Sequence, residues 1–110
     1  IENYPKVLPI LEKNLENLKS VNNYEIINKD IYKDDLANYF KNKFDIIFLD
    51  PPYKEKKVNF MLDKIKCNEI LKKNGILILH RHKKDDLEIT RKLNVIDVRH
   101  YGISKIIILS

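Results

Sequence analysis

Four consecutive residues combine the chemistry needed to hold an amino group: Asp50, Pro51, Pro52 and Tyr53. The two prolines have no backbone N–H and fix two φ angles, so the main chain here is rigid and offers mainly acceptors. Asp50 adds a carboxylate acceptor, and Tyr53 adds an aromatic face on which a base can stack. Such a segment suits an exocyclic amine on a nucleobase, which has two N–H donors.

We call residues 50–53 the Asp-Pro-Pro-Tyr segment. If the segment accepts both amine hydrogens in the plane of the base, electron density on the nitrogen rises and the nitrogen is oriented toward an electrophile. The segment therefore predicts group transfer to an amine nitrogen, with no covalent enzyme intermediate. The alternative is a proline-rich loop that does no more than end a strand.

The elements around the segment place it at a sheet edge. The apolar run from Phe44 to Leu49 predicts a central strand covered on both faces. Glu2 ends one further predicted strand, of which residues 1–2 are the tail, and Asp30 follows another over residues 24–29. Ligands of open α/β sheets gather beyond the carboxyl ends of strands, so these acids are candidates for a common site. A single Asp at a strand end is also an ordinary cap or turn residue.

Hydrophobic spacing predicts the remaining elements. A helix should begin near Pro9, and Gly75 should end a short helical turn over residues 68–73. The other predictions are a turn at residues 21–23, helices over 31–40, 58–65 and 85–93, and strands over 76–79, 94–100 and 103–109. Tyr101-Gly102 should form the tight turn of a final hairpin. Alternating strands and helices predict one α/β domain over residues 1–110, with a mostly parallel sheet and a C-terminal antiparallel hairpin.

Composition describes a soluble globular chain of 110 residues, 44% hydrophobic and 34% charged. No apolar stretch is long enough to cross a bilayer, which predicts no membrane partner. The one cysteine, Cys67, cannot form an internal disulfide, as expected in a reducing cytoplasm, and is predicted to be a packed thiol. His80 and His82 alternate on a strand without an acidic or cysteine partner nearby, so surface histidines are favoured over a metal site.

The net charge of +5 and pI of about 9.2 favour a polyanionic partner such as nucleic acid. A chain rich in Lys, Asn and Ile can also acquire this charge from base composition, so charge alone leaves the partner open. Lys54, Lys56 and Lys57 directly follow the Asp-Pro-Pro-Tyr segment. They are candidates for contacts with RNA phosphates, or ordinary solvated lysines.

Taken together, these residues resemble a known family, the RsmD-type methyltransferases, which use S-adenosylmethionine to methylate guanine N2 in small-subunit ribosomal RNA. The matching stretches are residues 1–2, 11–15, 28–30 and 44–53, followed by Tyr101-Gly102 and an apolar strand. The resemblance implies a Rossmann-like class I methyltransferase fold. It also implies that ribosomal RNA or the assembling small subunit is the partner.

The resemblance assigns roles to both halves of a methyl-transfer site. For the donor, Glu2 would bind the ribose hydroxyls, Asp30 would meet the adenine amine and Ile31 would pack on the adenine ring. For the acceptor, Asp50 and the carbonyl of Pro51 would hold guanine N2. Tyr53 would stack on the base, and transfer would be an in-line displacement from the sulfonium. A base paired inside RNA would have to be exposed first.

The chain departs from the family pattern in two places. It has only two glycines, Gly75 and Gly102, so the first strand and the glycine-rich loop that cradles the methionine part of the donor are missing. Together with a start at Ile1, this predicts an N-terminal truncation. The strand over residues 76–79 also leads into residues 80–82, His-Arg-His, where the family usually has an acid.

Two alternative functions stay open at this level. An adenine-N6 methyltransferase acting on DNA would use the same tetrapeptide, because adenine N6 is also an exocyclic amine. A non-catalytic methyltransferase-like fragment would explain the missing glycine-rich loop. The sequence does not predict an oligomeric state.

Overall fold

The computed structural model describes residues 1–18 and 23–110, which form two compact units, Ile1–Asp35 and Leu36–Ser110. Within these ranges, no helix is both long and apolar enough to cross a bilayer. The single domain over residues 1–110 stays a prediction. The elements in chain order are α1 (Leu8–Glu16), α2 (Leu36–Tyr39), β1 (Phe44–Leu49), α3 (Val58–Cys67), β2 (Leu71–His82), β3 (Val95–Tyr101) and β4 (Ser104–Leu109).

The helix of the first unit begins where the sequence predicts it. Pro9 lies in the first turn of α1, where a missing N–H breaks no helical hydrogen bond. Val7 occupies the N-cap position without a side-chain capping bond. Of the turn predicted at residues 21–23, Val21 and Asn22 lie outside the described residues.

The strand predicted over residues 24–29 does not form. The Glu2 N–H donates to the Ile27 carbonyl at 3.1 Å, but the Lys29 N–H turns back to that same carbonyl, also at 3.1 Å. This local turn replaces the ladder of inter-strand bonds that defines a strand. Apolar content alone therefore predicted an element that the hydrogen bonds do not support.

The helix predicted over residues 31–40 is reduced to the single turn α2. Upstream of it, the Asp34 carboxylate accepts the Asp30 N–H at 2.6 Å, and the Asp30 carboxylate accepts the Tyr32 N–H at 2.9 Å. Aspartate side chains that bind nearby amides in this way compete with helical hydrogen bonds. The chain consequently makes turns before Leu36, where α2 begins.

Within residues 23–110 the strands form one four-stranded sheet in the order β1-β2-β4-β3. Along these residues β1 and β2 are parallel, whereas β4 is antiparallel to both β2 and β3. The predicted α/β class and the C-terminal hairpin are confirmed, and the described sheet is mixed, with one parallel and two antiparallel strand pairs where mostly parallel pairing was expected. Gly102 has a φ of +56°, a conformation that glycine adopts without steric cost, and it lies in the hairpin turn.

The hydrophobic core of the second unit lies on one face of this sheet. Helix α3 buries residues at helical spacing, and β2 and β4 bury every second residue, as one covered sheet face requires. The buried residues of these elements are Val58, Met61, Leu62, Ile65, Leu77, Leu79, Ile107 and Leu109. The next inward position along β2 after Leu77 and Leu79 is occupied by Arg81.

Strand β1 is present with its predicted bounds but is not covered on both faces. Ile46 is 62% exposed and Phe48 is 59% exposed. In the described sheet β1 is an edge strand that pairs with β2. The register sets Ile46 opposite Ile76, so it faces away from the buried Leu77. The apolar run was therefore a correct signal for a strand and a wrong signal for two-sided burial.

Strand β2 begins earlier than predicted and contains a bulge. Phe44 pairs with Leu71 and Ile46 with Ile76, so two steps along β1 correspond to five along β2. Gly75 lies within this bulge and does not cap a helical turn. A Cβ atom on Gly75 would lie 2.7 Å from Cδ1 of Leu71, so the bulge depends on the missing side chain.

Residues 85–93, predicted as a helix, form no helix. One carboxylate oxygen of Asp85 accepts the Leu87 N–H at 3.0 Å, and the other pairs with Arg81. The Asp85 carbonyl accepts a hydrogen bond from Lys105. These bonds take the place of helical ones, and further along Glu88 and Thr90 bond to Asn59 and Asp63 of α3.

Candidate functional site

The Asp-Pro-Pro-Tyr segment follows β1 directly and lies at the carboxyl edge of the parallel pair β1–β2. Leu49 is opposite Leu79 in the register, so the residues that follow them, Asp50 and His80, are neighbours. Nδ1 of His80 and Oδ1 of Asp50 are 2.8 Å apart. Strand pairing therefore brings together two polar side chains that lie far apart in the sequence.

The Asp50–His80 pair is accessible from solvent. The side chain of Asp50 is 61% exposed and that of His80 is 34% exposed. A carboxylate only accepts hydrogen bonds, so this contact forms when Nδ1 of His80 carries the hydrogen. His80 can thus orient the Asp50 carboxylate while leaving it capacity to accept a donor from a ligand.

Arg81 lies beneath the segment and is only 4% exposed. Its Nη1 donates to the Pro52 carbonyl at 3.1 Å. Its Nη2 donates to the carbonyls of Tyr53 at 2.9 Å and Glu55 at 3.2 Å. Its Nε pairs with the carboxylate of Asp85. One buried guanidinium therefore joins the segment to the chain that follows β2.

Sequence reasoning missed both His80 and Arg81 as members of this site. It assigned the histidines of residues 80–82 to the surface and gave the arginine no role. The sequence did contain a signal for Arg81. Leu77, Leu79 and Arg81 occupy every second position and so lie on one face of a strand, and an arginine on the buried face needs hydrogen-bond partners. The identity of those partners depends on strand register, which the sequence does not display.

Tyr53 is 64% exposed, and its ring has neighbours suited to stacking and to anion binding. Its centroid is 6.4 Å from that of the His82 ring, with the planes tilted by 48°. Lys54 Nζ lies 5.6 Å from the Tyr53 centroid, within cation–π range. Lys56 and Lys57 are exposed a few residues further on. The region thus combines an open aromatic face with positive charge.

Among the residues expected to bind a donor, Glu2 caps a local turn. Its Oε1 accepts the N–H groups of Asn3 and Tyr4, both at 2.8 Å. These bonds fix one carboxylate oxygen and stabilise the turn that leads toward α1. They correspond to the turn-residue alternative considered for the sequence, and they leave Glu2 as a predicted donor ligand that no contact tests.

Asp30 has a similar local role. Besides accepting the Tyr32 N–H, its carboxylate lies 3.7 Å from Nζ of Lys33. Ile31 is half-buried beside it. Glu2, Asp30 and Ile31 all belong to the first unit, whereas residues 50–53 and 80–82 are brought together within the second. The donor-binding roles of these three residues therefore stay predictions.

Two further expectations concern reactive groups. Cys67, expected to be a packed thiol, is exposed, because it falls outside the buried face of α3. Nζ of Lys92 lies 3.6 Å from Sγ of Cys67, and a hydrogen bond to Asp63 raises the pKa of Lys92. Across residues 1–18 and 23–110, no group of three or more His, Cys, Asp or Glu side chains is arranged to hold a metal ion.

A protein family described as Conserved hypothetical protein 95 matches residues 1–110. The chain belongs to this family. It is the RsmD family, so the resemblance based on the Asp-Pro-Pro-Tyr segment and its strand is confirmed.

Among relatives of this RsmD-family chain is an uncharacterized methylase of Rickettsia prowazekii (strain Madrid E). The two are 30% identical over 77 residues, which is 70% of this chain and 33% of the relative. The chain therefore spans about a third of the length of that relative.

Solved structures share the fold of this RsmD-family chain and cover 98% of it. A conserved hypothetical protein of Streptococcus pyogenes has a TM-score of 0.83 at 23% identity, and the match covers 67% of that chain. A Haemophilus influenzae protein provisionally named a methylase has a TM-score of 0.73 at 25% identity, with 68% covered. An Escherichia coli protein provisionally named a methyltransferase has a TM-score of 0.73 at 17% identity, with 59% covered. The predicted Rossmann-like α/β fold is confirmed.

Proposed function

We propose that this protein transfers a methyl group from S-adenosylmethionine to the exocyclic N2 amine of a guanine in small-subunit ribosomal RNA. The observation that carries the proposal is the Asp-Pro-Pro-Tyr segment at the carboxyl edge of β1, with Asp50 and Tyr53 exposed and the carbonyls of Pro52 and Tyr53 held by buried Arg81. This arrangement presents acceptors and an aromatic face to a planar amine. Membership of the RsmD family supports the same reaction class.

Asp50 is the side chain that would accept an N–H of the guanine amine. Its carboxylate is oriented by His80 at 2.8 Å yet exposed to a ligand. An acceptor in the base plane localises electron density on the nitrogen and aligns it for attack, so the residue acts by positioning and electrostatics. The carbonyl of Pro51 is the second proposed acceptor, because a Pro-Pro main chain offers carbonyls and no N–H groups.

Tyr53 would bind the base through its ring. Base–aromatic stacking contributes about 1–3 kcal/mol per base and tolerates any base, so Tyr53 supplies affinity while Asp50 selects for an amine. A guanine inside an RNA helix must leave its stack to reach such a ring. The exposed lysines 54, 56 and 57 are suited to hold the phosphates next to the displaced nucleotide.

For the methyl donor, the chain carries the residue types that suit its nucleoside part. Glu2 would accept from the ribose hydroxyls, Asp30 from the adenine amine, and Ile31 would pack on the ring. Each carboxylate uses one oxygen in a local turn, and the other oxygen of Asp30 lies 3.7 Å from Lys33 Nζ; carboxylate oxygens can accept more than one hydrogen bond. The two glycines of the chain lie in β2 and the β3–β4 turn, so a glycine cradle for the methionine part is not formed by residues 1–110. When bound, S-adenosylmethionine supplies the electrophilic methyl group.

The substrate proposal is tested with the protein as encoded in the genome, labelled S-adenosylmethionine and two candidate substrates. Small-subunit particles should accept label that co-migrates with N2-methylguanosine after digestion, whereas duplex DNA should stay unlabelled. Label in N6-methyladenine of the DNA would instead support the DNA methyltransferase. Absence of label in every nucleic acid would remove the proposed activity. Because RNA in this reading is a cytoplasmic ribosomal precursor, we also propose a cytoplasmic location.

A further inference from the structure

We propose that Arg81 is a positioning residue that holds the main chain of the Asp-Pro-Pro-Tyr segment in its amine-binding conformation. What the segment does rests on the proposed function, whereas the contacts that hold it are independent of that function. Arg81 touches neither the proposed base nor the proposed donor. It acts through the carbonyls of Pro52, Tyr53 and Glu55.

The segment depends on donors from elsewhere because its two central residues have no backbone N–H. Pro51 and Pro52 have no backbone N–H, so they cannot anchor themselves by donating to the sheet or to a turn. The Glu55 N–H closes a turn on the Pro52 carbonyl at 2.9 Å. In the described structure of residues 52–55, the other hydrogen bonds to main-chain carbonyls come from the Arg81 guanidinium, which reaches those of Pro52, Tyr53 and Glu55.

The geometry of these bonds suits arginine and does not suit lysine. Nη1 and Nη2 donate to three carbonyls at 2.9 to 3.2 Å while Nε pairs with the Asp85 carboxylate on another side. A planar guanidinium presents such divergent donors in a fixed fork, whereas a lysine ammonium concentrates its charge at one point. Four partners on two segments are therefore beyond the reach of a single ammonium.

Arg81 is itself held in place from the opposite side. Its partner Asp85 is only 14% exposed at the side chain, and the Asp85 carbonyl accepts a hydrogen bond from Lys105 on β4. A buried charge without its counter-ion is strongly destabilising, so the guanidinium must stay where Asp85 is. The loop of residues 52–55 is thereby fixed relative to β2 and β4.

The exposed fractions of Arg81 and Tyr53 agree with a buried residue that supports the loop and an exposed residue that meets a ligand. Arg81 is 4% exposed, whereas Tyr53 directly above it is 64% exposed. The carbonyls of Pro52 and Tyr53 bind the guanidinium, whereas the side chains of Tyr53 and Asp50 are exposed to solvent. Removal of the guanidinium should leave Asp50 and Tyr53 in the molecule but free the loop that aims them.

Limited trypsin digestion tests the contacts directly, because Lys54, Lys56 and Lys57 lie in the loop that Arg81 holds. In Arg81→Gln, cleavage at these lysines should be faster by about tenfold, as expected when hydrogen bonds from a charged group are lost. The matched control is Arg99→Gln, which removes an exposed arginine with its own aspartate partner on β3 and should leave the rate unchanged. Unchanged cleavage of the loop in Arg81→Gln would overturn the proposal, as would an equal increase at Lys72 in β2.

Arg81→Lys keeps the positive charge and serves if Arg81→Gln fails to fold. It should cleave in the loop at a rate between those of the wild type and Arg81→Gln, because one ammonium cannot hold all four partners. A rate equal to that of the wild type would contradict the need for a guanidinium.

Kinetics of the protein as encoded in the genome separate this proposal from the proposed function. Arg81→Gln should lower kcat for methyl transfer by about a hundredfold, the usual scale for a misplaced reacting group, with little change in donor affinity. Wild-type kcat in the variant would refute the positioning role while leaving the activity intact. If Arg81→Gln is cleaved faster in the loop but the wild type transfers no methyl group, the contacts of Arg81 are supported and the proposed function is refuted.

Discussion

At the scale of single residues, Asp50 is both held and accessible. His80 contacts one of its oxygens at 2.8 Å, yet 61% of the Asp50 side chain stays exposed. Most exposed carboxylates rotate freely and would have to be ordered by the substrate. A carboxylate already oriented by an imidazole avoids that cost, which is the physical meaning of preorganisation in the proposed site.

Replacement of Asp50 by alanine should abolish methyl transfer while leaving donor affinity largely intact. Loss of one preorganised group at a reacting centre typically costs on the order of a hundredfold to a thousandfold in kcat. Radiolabel transfer to small-subunit particles measures this directly. The matched control is Asp45→Ala on β1, the strand that precedes Asp50; it removes an exposed aspartate paired with Lys72. Undiminished turnover by Asp50→Ala would remove this carboxylate from the site.

Residue types predicted one part of the site and missed another. Two prolines between an acid and an aromatic residue constrain chemistry locally, so residues 50–53 were recognisable without a structure. His80 and Arg81 became visible only through the pairing of β1 with β2, which brings residues about thirty positions apart into contact. Hydrogen-bond partners across a sheet depend on register, and one residue of slip would change them all.

At the scale of elements, exposed ion pairs connect β1 to the start of β2. Lys43 Nζ lies 2.6 Å from the Glu69 carboxylate, and Lys72 Nζ lies 2.8 Å from that of Asp45. The hydrogen bond from Lys43 lowers the pKa of Glu69 below its ordinary value of 4.5. Both groups are at the surface, so this interaction is screened and its contribution to stability is small.

The lowered pKa of Glu69 makes a testable statement about acid stability. A carboxyl whose pKa is lower in the folded state contributes stability above its unfolded pKa, and this is lost as the pH falls through the folded value. Lys43→Gln should therefore lower the urea midpoint at about pH 7 and change it little at about pH 3. Lys41→Gln, which replaces an exposed lysine nearby, should change neither midpoint. An equal effect of Lys43→Gln at both pH values would contradict the ion pair.

The bulge in β2 predicts that even a methyl side chain at position 75 lowers the free energy of unfolding. In Gly75→Ala the new Cβ would approach Leu71 Cδ1 to 2.7 Å and the Lys72 carbonyl to 3.0 Å. Overpacking of this kind costs about 1–3 kcal/mol, measurable by urea unfolding. In a Leu71→Ala background the penalty should shrink but persist, because the carbonyl remains. An equal penalty in both backgrounds would show that the Leu71 side chain is not its cause.

Elements whose hydrogen-bond partners are supplied by the described chain were predictable, and others were not. The runs at Phe44–Leu49 and Ser104–Leu109 form strands because β2 lies between them and bonds to both. Residues 24–29 also include the apolar Ile26 and Ile27, but a local turn at Lys29 takes the place of strand pairing. The helix expected over residues 85–93 failed for a related reason, because Asp85 bonds to Arg81 and to the Leu87 amide.

At the scale of the whole molecule, the proposed binding of a methyl donor needs more than the acidic residues. Residues 1–110 contain two glycines, neither in the first unit, whereas a close approach of backbone to a bound nucleotide usually requires several. Calorimetry of residues 1–110 with S-adenosylmethionine should accordingly detect weak binding or none, while the protein as encoded in the genome should bind tightly. Binding in the micromolar range by residues 1–110 would contradict this expectation.

The structural match supports the fold of this chain more directly than it supports a function. The solved relatives cover 98% of this chain, but the chain covers 59% to 68% of theirs. The shared core is thus well defined, and it includes β1, β2 and the Asp-Pro-Pro-Tyr segment between β1 and α3. Family membership supports methyl transfer, whereas the role of the segment and the choice of nucleic acid are proposals that need substrate assays.

The central claim is most directly tested by nucleoside mass spectrometry of small-subunit ribosomal RNA from cells that lack the gene. N2-methylguanosine should decrease by one residue per RNA in those cells, return with the wild-type gene or Asp45→Ala, and fail to return with Asp50→Ala. An unchanged N2-methylguanosine content in cells without the gene would contradict the account.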